Sequence, residues 1–256
     1  MILVFPDTAS IANYVGTLLA DRIHGKPDVT LGLATGGTME PVYRHFVQEV
    51  KTRHLDVSRV HTFNLDEYIG LAPDHPQSYA AYMQQRLFGQ LPFNRAQCHV
   101  PNGQAANVEH YCDEYTRLIE RCGGIDLQLL GVGTNGHIGF NEPGTPFDSH
   151  CHTVQLAEQT RIDNSRFFAE DELVPASAIT LGMADIMNAR EILLLATGAR
   201  KAATMQAYVE HEVTPDVPFT LLKRHARARI ILDPEAAAHL PADAYQRIDP
   251  AALMAG

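Results

Sequence analysis

The sequence predicts a three-layer α/β fold, with a mostly parallel sheet covered on both faces by helices. Strand-length and helix-length patterns alternate along the chain, as successive strand–helix–strand crossovers require. The strands are compact apolar runs, clearest at residues 125–132, 191–197 and 228–232, which suits burial on two faces. Polar or glycine-rich clusters follow equivalent strand ends, where an open α/β sheet places its ligand crevice.

Residues 2–5 read as the first strand, Pro6-Asp7 as a turn, and 8–24 as an amphipathic helix with Ile11, Val15, Leu18 and Leu19 on its apolar side. A strand at 29–34 leads through Thr35-Gly36-Gly37-Thr38 into a helix at 39–51. Residues 59–66 form one further strand, ending in the acidic pair Asp66-Glu67. A helix is expected at 76–89, with Tyr79, Tyr82, Met83 and Leu87 as its packing side. A connection follows at 92–101, then a long helix at 107–122 and the strand at 125–132. Residues 151–156 alternate weakly, as a strand, whereas 160–168 are polar where a core element would be apolar. The strand 178–181, helix 183–188, strand 191–197, a helix beginning at Gly198, residues 218–225 and the strand 228–232 continue the pattern. The Ala-rich tail after Pro234 reads as partly helical.

Without a Ser/Gly/Pro-rich linker, the 256 residues are expected to form a single domain, 1–256. A formal charge of -10 and the scarcity of basic clusters argue against nucleic acid or an anionic membrane as partner. Cys98, Cys112, Cys122 and Cys151 are scattered, as reduced cysteines are, and no membrane-length or signal-like run occurs, so a cytoplasmic location is expected. No H-E-x-x-H, EF-hand or clustered Cys/His set calls for a metal, and no G-x-S-x-G elbow calls for a serine nucleophile.

The chemistry is expected on residues 131–144, which carry Gly133, Gly136, Gly139 and Gly144 together with Asn135, His137 and Glu142. His137 and Glu142 are five positions apart, so they would share no helical face, but a glycine-rich turn can fold one onto the other. Such a pair suits proton transfer near neutral pH, while the plainer reading is a tight turn bearing a surface histidine. Thr35 to Thr38 can aim backbone N–H groups and two hydroxyls at an anion, or be simply a turn. Asp66 reads as a carboxylate base or as a cap, and Glu67 as a supporting acid or a structural cap. Arg161 and Arg166 are candidate phosphate ligands or surface cations. Lys201 stands out as a cation in the first turn of a helix, unfavourable unless an anion is bound there.

Five segments, 31–38, 62–71, 131–143, 164–168 and 197–201, resemble the glucosamine-6-phosphate deaminases, within the family of sugar-phosphate isomerases and 6-phosphogluconolactonases. The Asp-Glu-Tyr run at 66–68 and Gly-His-Ile-Gly-Phe-Asn-Glu-Pro at 136–143 are the specific matches. The resemblance implies a modified Rossmann-like sheet and conversion of D-glucosamine 6-phosphate and water to D-fructose 6-phosphate and ammonia, with no metal or organic cofactor. It implies Asp66 as the base at substrate C2, His137 as the ring-opening residue and Glu142 as the carboxylate partner of His137. Asn135 would orient them, standing where relatives carry aspartate or asparagine. Thr35, Gly36, Gly37, Thr38, Arg166 and Lys201 match the phosphate pocket.

A lactonase on the same fold and a ligand sensor without turnover are the competing expectations. The Phe-Asn-Glu-Pro run at 140–143 and Tyr68 speak against the first, and the complete Asp66, His137 and Glu142 set against the second. Allosteric members of the resembling family carry an arginine and a lysine where this chain has His152 and Val154. The resemblance therefore implies a monomer that acts on a small sugar phosphate and has no activator site.

Overall fold

A computed structural model describes residues 1–165, 168 and 172–249 of the chain. Strand β1, Ile2–Val4, is followed by helix α1, Thr8–Gly25, whose first turn is capped by Asp7 accepting from Ser10 N–H at 2.7 Å. Strand β2, Thr30–Leu33, and helix α2, Met39–Thr52, come next; α2 packs on α1. The chain continues through β3, His61–Asn64, and β4, Asp66–Tyr68, to α3, Tyr79–Met83, which runs into a π-helical turn, Gln84–Phe88. Then come β5, Cys98–His99; α4, Val108–Arg121; β6, Leu127–Leu130; and β7, His152–Gln155. Helix α5, Glu158–Ser165, strand β8, Ser177–Thr180, helix α6, Met183–Met187, and strand β9, Ile192–Ala196, follow. A 3-10 turn, Ala199–Lys201, opens α7, Ala202–Glu210; after a second 3-10 segment, Pro218–Arg224, come β10, Ala228–Leu232, and β11, Gln246–Arg247.

Eight strands form one sheet in the order β11-β1-β10-β9-β6-β2-β3-β5, and every pairing in it is parallel. Helices cover both faces, the three-layer α/β arrangement expected. The central strands are buried throughout: all five residues of β9 and all four of β2 and β6 are buried. From β2 the chain moves outward to β3 and β5, whereas from β6 it moves the other way to β9 and β10. The order reverses between β2 and β6, so the crevice opens beyond their carboxyl ends.

The expected strand over 59–66 is two strands. After Asn64 the chain leaves the large sheet, and β4 pairs antiparallel with β8 in a small sheet of order β4-β8-β7. Leu65 joins the two, donating its N–H to Leu33 O at 3.2 Å and accepting from Leu181 N–H at 2.7 Å. Asp66 therefore stands on the small sheet. Three other expectations are corrected. The helix over 76–89 shortens to α3 and its π turn, the polar stretch 160–168 contains most of α5, and residues 234–240 make turns before β11 joins the sheet edge beside β1. The connection at 92–101 also yields the edge strand β5.

Candidate active site

The loop after β6 folds His137 back over its own beginning. Its carbonyl accepts from Gly133 N–H at 2.8 Å, and a Cβ at Gly133 would lie 2.1–2.4 Å from three atoms of the imidazole. Only glycine leaves room for the ring there. Asn135 sits between His137 and Glu142: its amide donates to Glu142 Oε2 at 2.7 Å, and its Oδ1 lies 2.7 Å from His137 Nδ1. Glu142 Oε2 itself is 3.6 Å from Nδ1, an ion-pair distance, and Asn135 makes the closer contact with the ring.

This order fixes the proton positions. Burial alone would raise the Glu142 carboxyl, but the nearby His137 and hydrogen bonds from Thr160 and Asn135 outweigh it and hold the pKa at about 2, so the group is a carboxylate and only accepts. Asn135 must turn its NH2 toward Glu142 and its carbonyl toward the ring, where it also accepts the His137 backbone N–H at 3.2 Å. Nδ1 is then the donor to Asn135 Oδ1, and the acceptor lone pair of the imidazole belongs to Nε2.

Asp66 is 7% exposed and pairs with Thr180 in the small sheet. Thr180 Oγ1 in turn accepts from Phe140 N–H at 3.1 Å, and a Cβ on Gly139 would lie 3.7 Å from Asp66 Oδ2. The carboxyl thus borders the His137 loop. Burial, reinforced by the neighbouring Glu67 charge, raises its pKa to about 8, close to where a general base is most effective at neutral pH.

Glu67 points away to a different task. Oε1 accepts from Tyr68 N–H at 2.9 Å and Tyr79 N–H at 3.0 Å, while Oε2 accepts from Ala80 N–H at 2.9 Å. With Ser78 Oγ accepting from Ala81 N–H, the first turn of α3 is capped. Of the two readings, the structural cap holds. Glu67→Gln should lower unfolding free energy by about 1–3 kcal/mol, because an amide NH2 would face a backbone donor. Urea denaturation measures this; an unchanged midpoint would contradict the cap.

Thr35, Gly36, Gly37 and Thr38 lie between β2 and α2 at the crevice. Tyr43 OH donates to Ala34 O just before the turn and Tyr82 OH to Gly36 O at 2.9 Å within it, which anchors its first half. Thr38 makes no side-chain cap on α2; its hydroxyl lies 3.2 Å from that of Thr197, at the end of β9. Thr197 was expected only as part of the matching 197–201 segment, not as a site residue. Lys201 closes the 3-10 turn before α7. The N–H groups opening that turn are already met by carboxylates, Gly198 by Asp233 at 2.9 Å and Ala199 by Glu235 at 3.2 Å. The dipole at this end therefore does not by itself call for a bound anion, and the case for Lys201 rests on its place at the β9 end. Arg166 lies outside the described residues, and Arg161 stands on α5.

Helix α5 brings two contacts that the sequence did not suggest. Thr160 Oγ1 donates to Glu142 Oε1 at 2.6 Å, and Asn164 Nδ2 donates to Tyr68 OH at 2.9 Å. Below them Tyr68, Phe140, Leu156, Val174 and Ala178 form a small apolar cluster separate from the main core.

A parallel sheet reversing between β2 and β6, with an acid, a histidine relay and a Gly-Gly turn at its carboxyl edge, is the architecture of a known class. The chain belongs to the family of glucosamine-6-phosphate isomerases/6-phosphogluconolactonases, whose model matches residues 8–231. It is 48% identical over 237 residues to a glucosamine-6-phosphate deaminase of Rhodopirellula baltica, covering 93% of this chain and 94% of that protein. A solved monomeric glucosamine-6-phosphate deaminase is similar with a TM-score of 0.91 and 40% identity, covering 93% of this chain and 100% of that one. A 6-phosphogluconolactonase of Trypanosoma cruzi, at TM-score 0.72 and 19% identity over 93% of this chain and 96% of its own, shares the fold. Among the described residues no helix is long and apolar enough to cross a membrane.

Proposed function

We propose that this chain converts D-glucosamine 6-phosphate and water to D-fructose 6-phosphate and ammonia, with the histidine relay opening the sugar ring and Asp66 moving the carbon-bound proton. The observation that carries this reading is the Glu142–Asn135–His137 chain ending on a loop that Asp66 borders. Neutral His137 accepts the anomeric O1 proton at Nε2 and returns a proton to the ring oxygen as the C1–O5 bond breaks. Asn135 and the Glu142 carboxylate steady the imidazolium in between. Asp66 then takes the C2 proton of the open aldehyde. The resulting enediol-type intermediate is protonated at C1, leaving a C2 iminium; water adds to C2 and ammonia departs.

Asp66 must be ionised to act as the base, yet burial favours its proton. The C2 ammonium of the bound substrate supplies the compensating charge, since a base within reach of the C2 hydrogen is also beside that nitrogen. Thr35, Gly36, Gly37, Thr38, Arg166 and Lys201 hold the phosphate in this reading, and Thr197 joins them through its contact with Thr38.

The enzyme works in the cytoplasm as a monomer without an activator site. Val154 packs against the small apolar cluster and carries no donor, and His152, whose Nδ1 lies 2.7 Å from His150 O, has one ring nitrogen left in place of a guanidinium fork. The test is a coupled assay for fructose 6-phosphate and ammonia with light scattering on the same preparation. Equimolar release, hyperbolic saturation with or without N-acetylglucosamine 6-phosphate, and one chain mass are expected. Hydrolysis of 6-phosphogluconolactone without ammonia release would replace the reading with the lactonase one, and sigmoidal saturation relieved by N-acetylglucosamine 6-phosphate would refute the absence of regulation.

A further inference from the structure

We infer that Thr160 is a positioning residue for His137, acting through Glu142, so that the seating of α5 on the loop is part of the ring-opening relay; the inference rests on the proposed deaminase reading. Thr160 is the third residue of α5 and is 4% exposed, whereas Ile162 on the same helix is 56% exposed. The helix turns a hydroxyl inward and an aliphatic chain outward, the reverse of what burial of apolar area alone would select. A buried threonine in that position is satisfied by its partner, and the partner is Glu142 Oε1.

The two oxygens of Glu142 are held by different elements. Oε2 receives Asn135 Nδ2 from the β6 loop at 2.7 Å, and Oε1 receives Thr160 Oγ1 from α5 at 2.6 Å. Two bonds to the two ends of one carboxylate fix its rotation as well as its place. With the carboxylate so fixed, Glu142 stays 3.6 Å from His137 Nδ1 and Asn135 keeps the closer contact at 2.7 Å. Without the Thr160 hydroxyl, Oε1 loses that donor, while the imidazole lies 3.6 Å from the other oxygen of the same carboxylate. The carboxylate is then drawn toward Nδ1 and competes with Asn135, and the ring turns away from the orientation that aims Nε2 at the substrate.

The hydroxyl, not the side-chain volume, carries this role. Thr160→Val preserves shape and removes the donor, while Thr160→Ser keeps the donor and loses a methyl group. On glucosamine 6-phosphate, Thr160→Val should lower kcat about tenfold with KM changed less than about twofold, and Thr160→Ser should recover most of the loss. On the 4,5-dideoxy analogue, which lacks O4 and O5 and closes to neither a furanose nor a pyranose, Thr160→Val should match the parent enzyme. A 15N spectrum of the imidazole in the ligand-free protein gives a readout independent of turnover: the Nδ1–H resonance of His137 should move in Thr160→Val and stay in Thr160→Ser. Equal losses in both variants, an equal loss on closed and open substrates, or an unmoved Nδ1–H resonance would overturn the inference. A parent enzyme that releases no ammonia from glucosamine 6-phosphate would overturn the deaminase reading instead, and the imidazole spectrum would still decide the role of Thr160.

Discussion

Asp66→Asn is expected to give a protein that is more stable and nearly inactive. A general base in the role proposed for Asp66 contributes ~10²-fold or more to turnover, so kcat should fall at least that far, and solvent exchange of the substrate C2 hydrogen should be lost with it. The gain in stability follows from the raised pKa. Below pH 3.8 the carboxyl is neutral in folded and unfolded chains alike; as the pH rises from there to about 8, the unfolded chain ionises while the folded one retains its proton. The wild type loses stability across that window, up to a cost on the order of 5 kcal/mol above pH 8, and asparagine carries no such cost. Chemical denaturation at pH 5 and at pH 8.5 measures it, and the gap between variant and wild type should widen at the higher pH. A variant that exchanges the C2 hydrogen at the wild-type rate would remove Asp66 from the mechanism. One no more stable than wild type at pH 8.5 would show that the folded protein does not hold the proton.

Gly133→Ala should be almost as damaging to turnover without altering any side chain that takes part in the chemistry. The added methyl group would occupy space 2.1 Å from His137 Cε1 and 2.4 Å from Nε2, so the ring must move. Displacing a catalytic group by about 1 Å costs on the order of 10²-fold. The loss should fall on the pyranose substrate, whereas the 4,5-dideoxy analogue, already open, should be turned over at close to the wild-type rate. Equal turnover of the pyranose by wild type and variant would mean that the imidazole is not needed where the structure places it.

Much of the architecture was legible because the signals are local. Apolar runs marked the buried strands, and Gly-Gly at 36–37 and the glycines of 131–144 marked the connections at strand ends. Asp66, His137 and Glu142 stood out by their place after strand ends and by the family resemblance of the segments that carry them. What escaped was decided by tertiary contacts. The break at Leu65 leaves no trace in composition, since residues 61–68 contain no glycine or proline. Helix α5 was hidden because its buried residues include Thr160 and its exposed ones Ile162, which inverts the usual amphipathic pattern. The place of Asn135 between His137 and Glu142 was equally invisible: sequence spacing tells which groups can meet, not which of them stands in the middle.

The crossing at Leu65 has a further consequence for the two acids beside it. Along an extended chain, neighbouring side chains face opposite ways, so Asp66 looks toward the crevice and Glu67 toward the amides of α3 because one residue, rather than none or two, separates β3 from β4. Removing that residue so that β4 slips by one position against β8 would exchange their directions, presenting Glu67 to the crevice and Asp66 to the helix. Which acid borders the crevice and which holds a helix is thus a matter of parity in the backbone, settled at the leucine that precedes them both.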